Sequence, residues 1–305
     1  MNARVVFLGT PEAAVPTLEA VAANNDVGLV VTRPDRPRGR SQRPVPPPVK
    51  EAAHRLGLIV AQPTSSSELT KVLTEHRPYD VGIVVAFGRI LRPEVLDVPA
   101  RGMLNVHFSL LPRWRGAAPV ARALMADDPM TGVSIIRLDE GLDTGPVLTA
   151  QAVDIGPDES AGALTDRLAH LGARLLVSAL GPYLSGDISP VAQSDEGVTY
   201  ADKLEPADRL LQPAHEVSMA VNRVRALSPA PAATLQIDGE RHKILELRRS
   251  EVSPPPGSWQ VIEGFPIAGF AGGGAEIVRL QPPGRTPQSG ADWVRGRHRE
   301  GGVVG

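Results

Sequence analysis

Arg4-Val5-Val6-Phe7-Leu8-Gly9-Thr10-Pro11 is the stretch on which the fold turns. A short apolar, β-branched run stops at a Gly-Thr-Pro turn, and Ala13, Ala14, Val15, Leu18, Ala20, Val21 and Ala22 follow at helical spacing. That order predicts strand, tight turn and helix, with Thr10 as N-cap and Pro11 at the first helical position. Residues 27–31 continue as a strand that is apolar throughout, as expected of a strand covered on both faces. Further along, the patterning predicts strands over 59–60, 80–86, 103–107 and 133–138, and helices over 49–56, 69–75 and 164–180. Alternating strands and helices make this an α/β chain, with an open, mostly parallel Rossmann-like sheet and helices on both faces. A lone Gly9 stands where G-x-G-x-x-G would be needed to cradle a pyrophosphate, so a nicotinamide or flavin enzyme is not expected.

At 305 residues the chain is long for one domain. Apolar residues at 42% and charged residues at 22% suit a globular protein with a sizeable core. From residue 186 to 206 the sequence turns polar and rich in turn formers, and reads as a linker. Beyond it, a helix over 214–226 precedes short strand candidates over 233–237, 243–247, 259–262 and 275–280, a pattern that suits a small β-barrel. The expected domains are therefore 1–185 and 207–305, joined by 186–206. The absence of cysteine excludes disulfides, thiolate metal sites and a Cys nucleophile. The apolar run at 5–8 is too short for a signal peptide, and no run reaches the roughly 18 apolar residues of a membrane span. A cytoplasmic location is expected.

Asn105-Val106-His107-Phe108-Ser109-Leu110-Leu111-Pro112-Arg113-Trp114-Arg115-Gly116-Ala117-Ala118-Pro119 is the segment richest in chemistry. Asn105 and His107 lie two apart on a predicted strand and so share a face. An amide and an imidazole at the carboxyl end of such a strand could stabilise an oxyanion and move a proton. The same pair could equally serve only to hydrogen-bond a loop. Asp139-Glu140-Gly141-Leu142-Asp143-Thr144-Gly145 follows another strand, and its glycines let backbone approach a ligand closely. Asp143 could orient His107 and stabilise an imidazolium, or belong to an ordinary turn.

The stretch from 33 to 50 carries Arg33, Arg36, Arg38, Arg40, Arg43 and Lys50 against the single acid Asp35. Six cations against one acid suit contact with phosphates, although a Pro-stiffened solvated loop has the same composition. With little apolar surface to bury, the loop is expected to lack fixed structure when alone. Overall the chain carries a net charge of −2, so nucleic-acid contact would have to be local rather than general. Trp114 is a candidate for core, pocket wall or nucleoside contact, in that order. Trp259 and Trp293 are read as core of the small domain.

These residues bear a resemblance. The N-x-H and S-L-L-P-x-x-R-G-x-x-P pattern at 105–119, with Gly141-Leu142-Asp143-Thr144-Gly145, is similar to the enzymes that use 10-formyltetrahydrofolate. Leu8-Gly9-Thr10-Pro11, Arg33-Pro34-Asp35-Arg36-Pro37-Arg38-Gly39-Arg40 and Thr199-Tyr200-Ala201-Asp202-Lys203-Leu204 narrow it to the methionyl-tRNA formyltransferase family. The resemblance is strong to about residue 204 and thins beyond, where Arg209-Leu210-Leu211-Gln212 and Ser228-Pro229-Ala230-Pro231-Ala232 replace more aromatic segments. It implies that Asn105, His107 and Asp143 are catalytic, and that Ser109, Leu110, Leu111 and Pro112 line a folate pocket. It also implies that Arg33, Arg36, Arg38, Arg40 and Arg43 meet the acceptor arm of initiator methionyl-tRNA, and that the C-terminal barrel is OB-like and holds tRNA. The implied reaction moves the formyl group of 10-formyltetrahydrofolate to the methionyl amine for translation initiation, with no metal and as a monomer. Two alternatives stand beside it: a formyltransferase acting on an amino sugar nucleotide, against which stand the cations of Arg33–Arg40 and the Asp143-Thr144-Gly145 form of the loop, and a non-catalytic RNA-binding relative, against which stands the presence of Asn105, His107 and Asp143.

Overall fold

The structure, a computed structural model, describes residues 2–37, 43–297 and 299–305. It divides into two compact units, one of residues 1–119, 130–154 and 165–201, the other of 120–129, 155–164 and 202–305.

In chain order the elements are β1 Arg4–Gly9, α1 Val15–Asn24, β2 Asp26–Val31, β3 Arg36–Pro37, β4 Pro44–Val45, α2 Pro48–Arg55, β5 Val60–Ala61 and α3 Ser66–Glu75. Then come β6 Val81–Val85, α4 Pro93–Leu96, β7 Met103–His107, β8 Arg115–Gly116, α5 Pro119–Met125, β9 Met130–Arg137, β10 Val147–Asp154, α6 Ala161–Ser185 and β11 Tyr200–Ala201. In the first unit a seven-stranded sheet runs β10-β9-β7-β6-β1-β2-β5. Strands β5, β2, β1, β6 and β7 are parallel, whereas β9 and β10 are antiparallel. Val5, Val6, Phe7 and Leu8 are fully buried, so both faces of β1 are covered. One face packs Val6, Leu8, Leu29 and Val31 against Leu69 and Leu73 of α3.

Thr10 does not cap α1. A 3-10 turn over Glu12–Ala14 precedes the helix, and the Thr10 hydroxyl donates instead to the Phe87 carbonyl at 3.3 Å, linking the turns after β1 and β6. Helix α3 begins before residue 69 because the Ser65 hydroxyl accepts the Glu68 N–H, while the Glu68 carboxylate accepts the Thr64 N–H in return.

The stretch with linker composition is stitched into this unit as far as residue 201. Val191 bridges Val147, β11 runs parallel to β8, and the Ala201 carbonyl accepts the N–H groups of Ala117 and Ala118. Gly116 (φ 121°) is required here, since a Cβ would stand 2.8 Å from the Ala201 carbonyl oxygen.

In the second unit, α7 Val217–Leu227, β12 Ala233–Ile237, β13 Glu240–Ser250, β14 Ser258–Ile262, β15 Phe265–Phe270, β16 Gly273–Gln281, β17 Gln288–Ser289, α8 Gly290–Arg295 and β18 Gly301–Val303 follow one another. The strands form an antiparallel row, β12-β13-β16-β15-β14-β18. Its ends meet where Ile237 bridges Val304 and Asp238 N–H donates to the Val303 carbonyl, which gives the expected small barrel. Trp259 and Trp293 are buried in its core with ring centroids 5.0 Å apart. No helix among the described residues is long and apolar enough to cross a membrane.

Candidate active site

The site is built at the carboxyl edge of the parallel strands, where an open α/β sheet presents its ligands. Asn105 and His107 sit in the carboxyl-terminal part of strand β7, 9% and 5% exposed, and share one face as the i, i+2 spacing requires. Asp143 reaches them from the loop between β9 and β10. Its Oδ2 lies 3.6 Å from His107 Nδ1, and its Oδ1 lies 3.4 Å from Asn105 Nδ2. Asp143 Oδ2 also accepts the Gly116 N–H at 2.9 Å. The predicted trio therefore meets in space.

His107 takes its orientation from a different source. Its Nε2 is 2.9 Å from the Trp114 carbonyl oxygen. A carbonyl only accepts, so Nε2 carries a hydrogen and Nδ1 is the nitrogen turned toward Asp143. At 3.6 Å the carboxylate is beyond a hydrogen bond from Nδ1 but within reach of its charge. Trp114 and Asp143 both hold left-handed backbone, at φ 64° and 53°, and Ala86 at the end of β6 does likewise at 46°. Each such residue costs on the order of 1–3 kcal/mol, and such costs gather where a site needs particular directions of backbone and side chain.

The candidate folate residues divide. Ser109 is fully buried, its hydroxyl donating to the Arg113 carbonyl at 2.6 Å, while its own carbonyl accepts from Ser134 Oγ at 2.8 Å. Ser134 Oγ in turn accepts the Leu111 N–H at 3.1 Å. Ser109 thus fixes the turn that follows His107 and offers no free hydroxyl. Leu110, Leu111 and Pro112 are half-buried beyond it. Trp114 is half-buried rather than core, with the Arg113 guanidinium 4.4 Å above its ring.

The basic loop also differs from its composition. Lys50 is not a free cation, because its Nζ binds both oxygens of Asp35, at 2.9 and 2.8 Å, and Gln62 Oε1 at 2.8 Å. Those bonds from Lys50 and Gln62 hold the Asp35 carboxyl below its ordinary range. Arg33 is half-buried and donates to the Gly88 carbonyl at 3.3 Å, whereas Arg36 and Arg43 are exposed. Arg36–Pro37 pairs with Pro44–Val45, so the two ends of the loop form an ordered ladder. Arg38 and Arg40 lie outside the described residues. A cavity of about 340 Å³ opens beside this loop, walled by Thr10, Pro11, Arg33, Arg36 and several prolines.

Sequence reasoning missed the backbone partners, the Trp114 carbonyl and the Gly116 N–H, because backbone groups carry no residue-type signal. It also missed Gln193, whose amide nitrogen donates to the carbonyls of Asp143 (2.7 Å) and Gly145 (2.8 Å). Among the described residues no cluster of three or more His, Asp or Glu could hold a metal ion.

Residues 3–180 match the formyl transferase family, and residues 203–298 match the formyl transferase C-terminal domain. A methionyl-tRNA formyltransferase of Halorhodospira halophila is 48% identical over 97% of both chains, and one of Jannaschia sp. is 42% identical over 99% of both. Among solved structures, HypX from Aquifex aeolicus in complex with tetrahydrofolic acid aligns with a TM-score of 0.69 at 15% identity, covering 96% of this chain and 47% of that one. An N-formyltransferase from Helicobacter canadensis, in complex with folinic acid and dTDP-3-aminofucose, aligns at 0.69 and 17% identity, covering 92% and 100%. At such identities these two structures speak for the fold alone. The two matched domains and the near full-length relatives place this chain in the methionyl-tRNA formyltransferase family.

Proposed function

We propose that the protein transfers a formyl group from 10-formyltetrahydrofolate to the free amine of initiator methionyl-tRNA, giving N-formylmethionyl-tRNA for translation initiation. The observation that carries the chemistry is the setting of His107, with Nε2 on the Trp114 carbonyl and Nδ1 toward Asp143, beside Asn105. 10-Formyltetrahydrofolate supplies an electrophilic formyl carbon when bound. Leu110, Leu111 and Pro112 hold its ring system, and Ser109 supports them by fixing the turn.

As the amine forms its bond to the formyl carbon, negative charge builds on the formyl oxygen. Asn105 Nδ2 and protonated His107 Nδ1 donate to that oxygen. One such donor is typically worth on the order of 10²–10³ in rate. Asp143 balances the imidazolium and carries the proton released by the amine, through water, toward the departing nitrogen. The bond between the formyl carbon and the folate nitrogen then breaks, and the one proton lost by the amine is returned to that nitrogen. Arg33, Arg36 and Arg43, together with Arg38 and Arg40, contact phosphates of the acceptor arm, and the C-terminal barrel adds to the tRNA surface. All three proposed catalytic side chains come from one chain, so the site needs no residue from a second copy, and the proposed reading places the enzyme in the cytoplasm, where aminoacylated tRNA is used.

A substrate panel tests this reading. Methionyl-tRNA and an amino-sugar nucleotide are offered separately with 10-formyltetrahydrofolate. Formylation of the tRNA alone is expected. Formylation of the sugar alone would overturn the substrate assignment and keep the trio.

A further inference from the structure

Asp143 must hold left-handed backbone and aim its carboxylate at His107, yet it stands on a loop of glycines. Part of the loop is self-supporting, since Asp139 Oδ1 accepts from Gly141 N–H at 3.0 Å and Thr144 Oγ1 at 2.7 Å. Those bonds tie Gly141 and Thr144 to Asp139 and leave the carbonyls of Asp143 and Gly145 to other donors. Gln193 supplies them, its Nε2 spanning the two carbonyls at 2.7 and 2.8 Å. The far end of the same amide, Oε1, accepts from Arg115 Nε at 3.1 Å and Nη2 at 2.8 Å.

This arrangement admits one orientation of the amide. Rotated by half a turn, Gln193 would set its NH2 against a guanidinium and its oxygen against two carbonyls, losing four contacts at once. Arg115 is 8% exposed, so its fork is held by packing as well as by the amide. It also sits one residue before Gly116, whose N–H binds Asp143 Oδ2. Backbone and side chain of Asp143 are therefore held from a single strand-like segment, 115–116, with Gln193 as the bridge. We infer that Gln193, oriented by Arg115, is a positioning residue that sets the direction of the Asp143 carboxylate. The inference rests on the proposed catalytic role of Asp143.

A double-mutant cycle tests it, using single-turnover formylation of methionyl-tRNA by the full chain. Gln193→Met keeps the volume and removes the amide, while Gln193→Glu keeps the pairing with Arg115 but has no N–H for the two carbonyls. Each is expected to lower the maximal rate about 10- to 30-fold, with KM for both substrates changed by less than about 2-fold, in proportion to losing two bonds that order a reacting group. In an Asp143→Asn background the same changes are expected to cost less than about 2-fold, because a residue acting through Asp143 has nothing left to position. A general folding defect would slow both backgrounds by the same factor, and that outcome overturns the inference, as does a Gln193→Glu chain that works at the wild-type rate. If Asp143→Asn alone works within threefold of wild type, the catalytic role of Asp143 falls and the inference falls with it.

Discussion

Replacing Asp143 with Asn keeps the outline of the side chain and removes its charge. Asp143 accepts at both oxygens, from Gly116 N–H and from Asn105 Nδ2. An amide satisfies one of those donors and turns its own NH2 toward the other. The larger loss is electrostatic. At 3.6 Å, with side chains only 6% and 13% exposed, a carboxylate and an imidazolium attract by about 4–5 kcal/mol at an effective dielectric of roughly 20. Desolvation of the pair offsets part of this, so about 2–4 kcal/mol of transition-state stabilisation is expected to go, or roughly 30- to 1,000-fold in rate. Single-turnover formylation of methionyl-tRNA, with thermal unfolding of the same samples, measures it. A folded Asp143→Asn chain slowed by less than threefold would refute the electrostatic role assigned to this carboxylate.

Salt dependence separates the loop cations: Arg36→Ala and Arg43→Ala should each reduce the slope of log affinity for tRNA against log salt by about 0.9. Lys50→Ala should change the slope by less, because Lys50 is already paired with Asp35, and equal changes would contradict that pairing. Trp259→Ala in the barrel core should cost about 3–5 kcal/mol in denaturant unfolding, since the ring is fully buried; a loss under 1 kcal/mol would show the core to be misplaced. His242 should make the barrel sensitive to acid. Burial lowers its imidazole below the ordinary 6.5; its hydrogen bond to the Glu240 carbonyl opposes this, the nearby Arg297 adds to the lowering, and the charges of Glu240 and Asp238 offset part of it. The unfolded chain therefore takes up more protons just below pH 6.5, and stability is lost as pH falls from there through the lower folded value. His242→Phe, which keeps a ring beside Trp293, should lose less of its melting temperature between pH 7.5 and 5.5 than wild type; identical losses would rule His242 out.

The parallel strands were legible because each is a run of apolar residues closed by a turn, as in Val81–Val85 and Met103–His107. Val147–Asp154 was not, because it is a half-exposed outer strand whose side chains do not alternate cleanly. In the barrel, Phe265–Phe270 was hidden by Pro266 and Gly269, which read as turn formers. The trio was legible in part: Asn105 and His107 share a face by spacing, whereas the Asp143 loop read equally as an orienting carboxylate or as an ordinary turn, and only the resemblance chose between them. Lys50 illustrates the opposite failure. Its charge counted toward a phosphate-binding loop until folding brought Asp35 and Gln62 onto it. Gln193 stands 50 positions from Asp143 within a polar stretch, and nothing in the residues around it signals its two bonds to that loop.

The central claim is that His107, flanked by Asn105 and Asp143, moves a formyl group onto methionyl-tRNA. The most direct test incubates wild type and His107→Ala with 10-formyltetrahydrofolate and methionyl-tRNA, and identifies the amino acid later released from the tRNA. Wild type should yield N-formylmethionine, and a folded His107→Ala chain should form it at least about 100-fold more slowly. Wild type that leaves the methionine unformylated, or a His107→Ala chain within threefold of wild type, would contradict the claim.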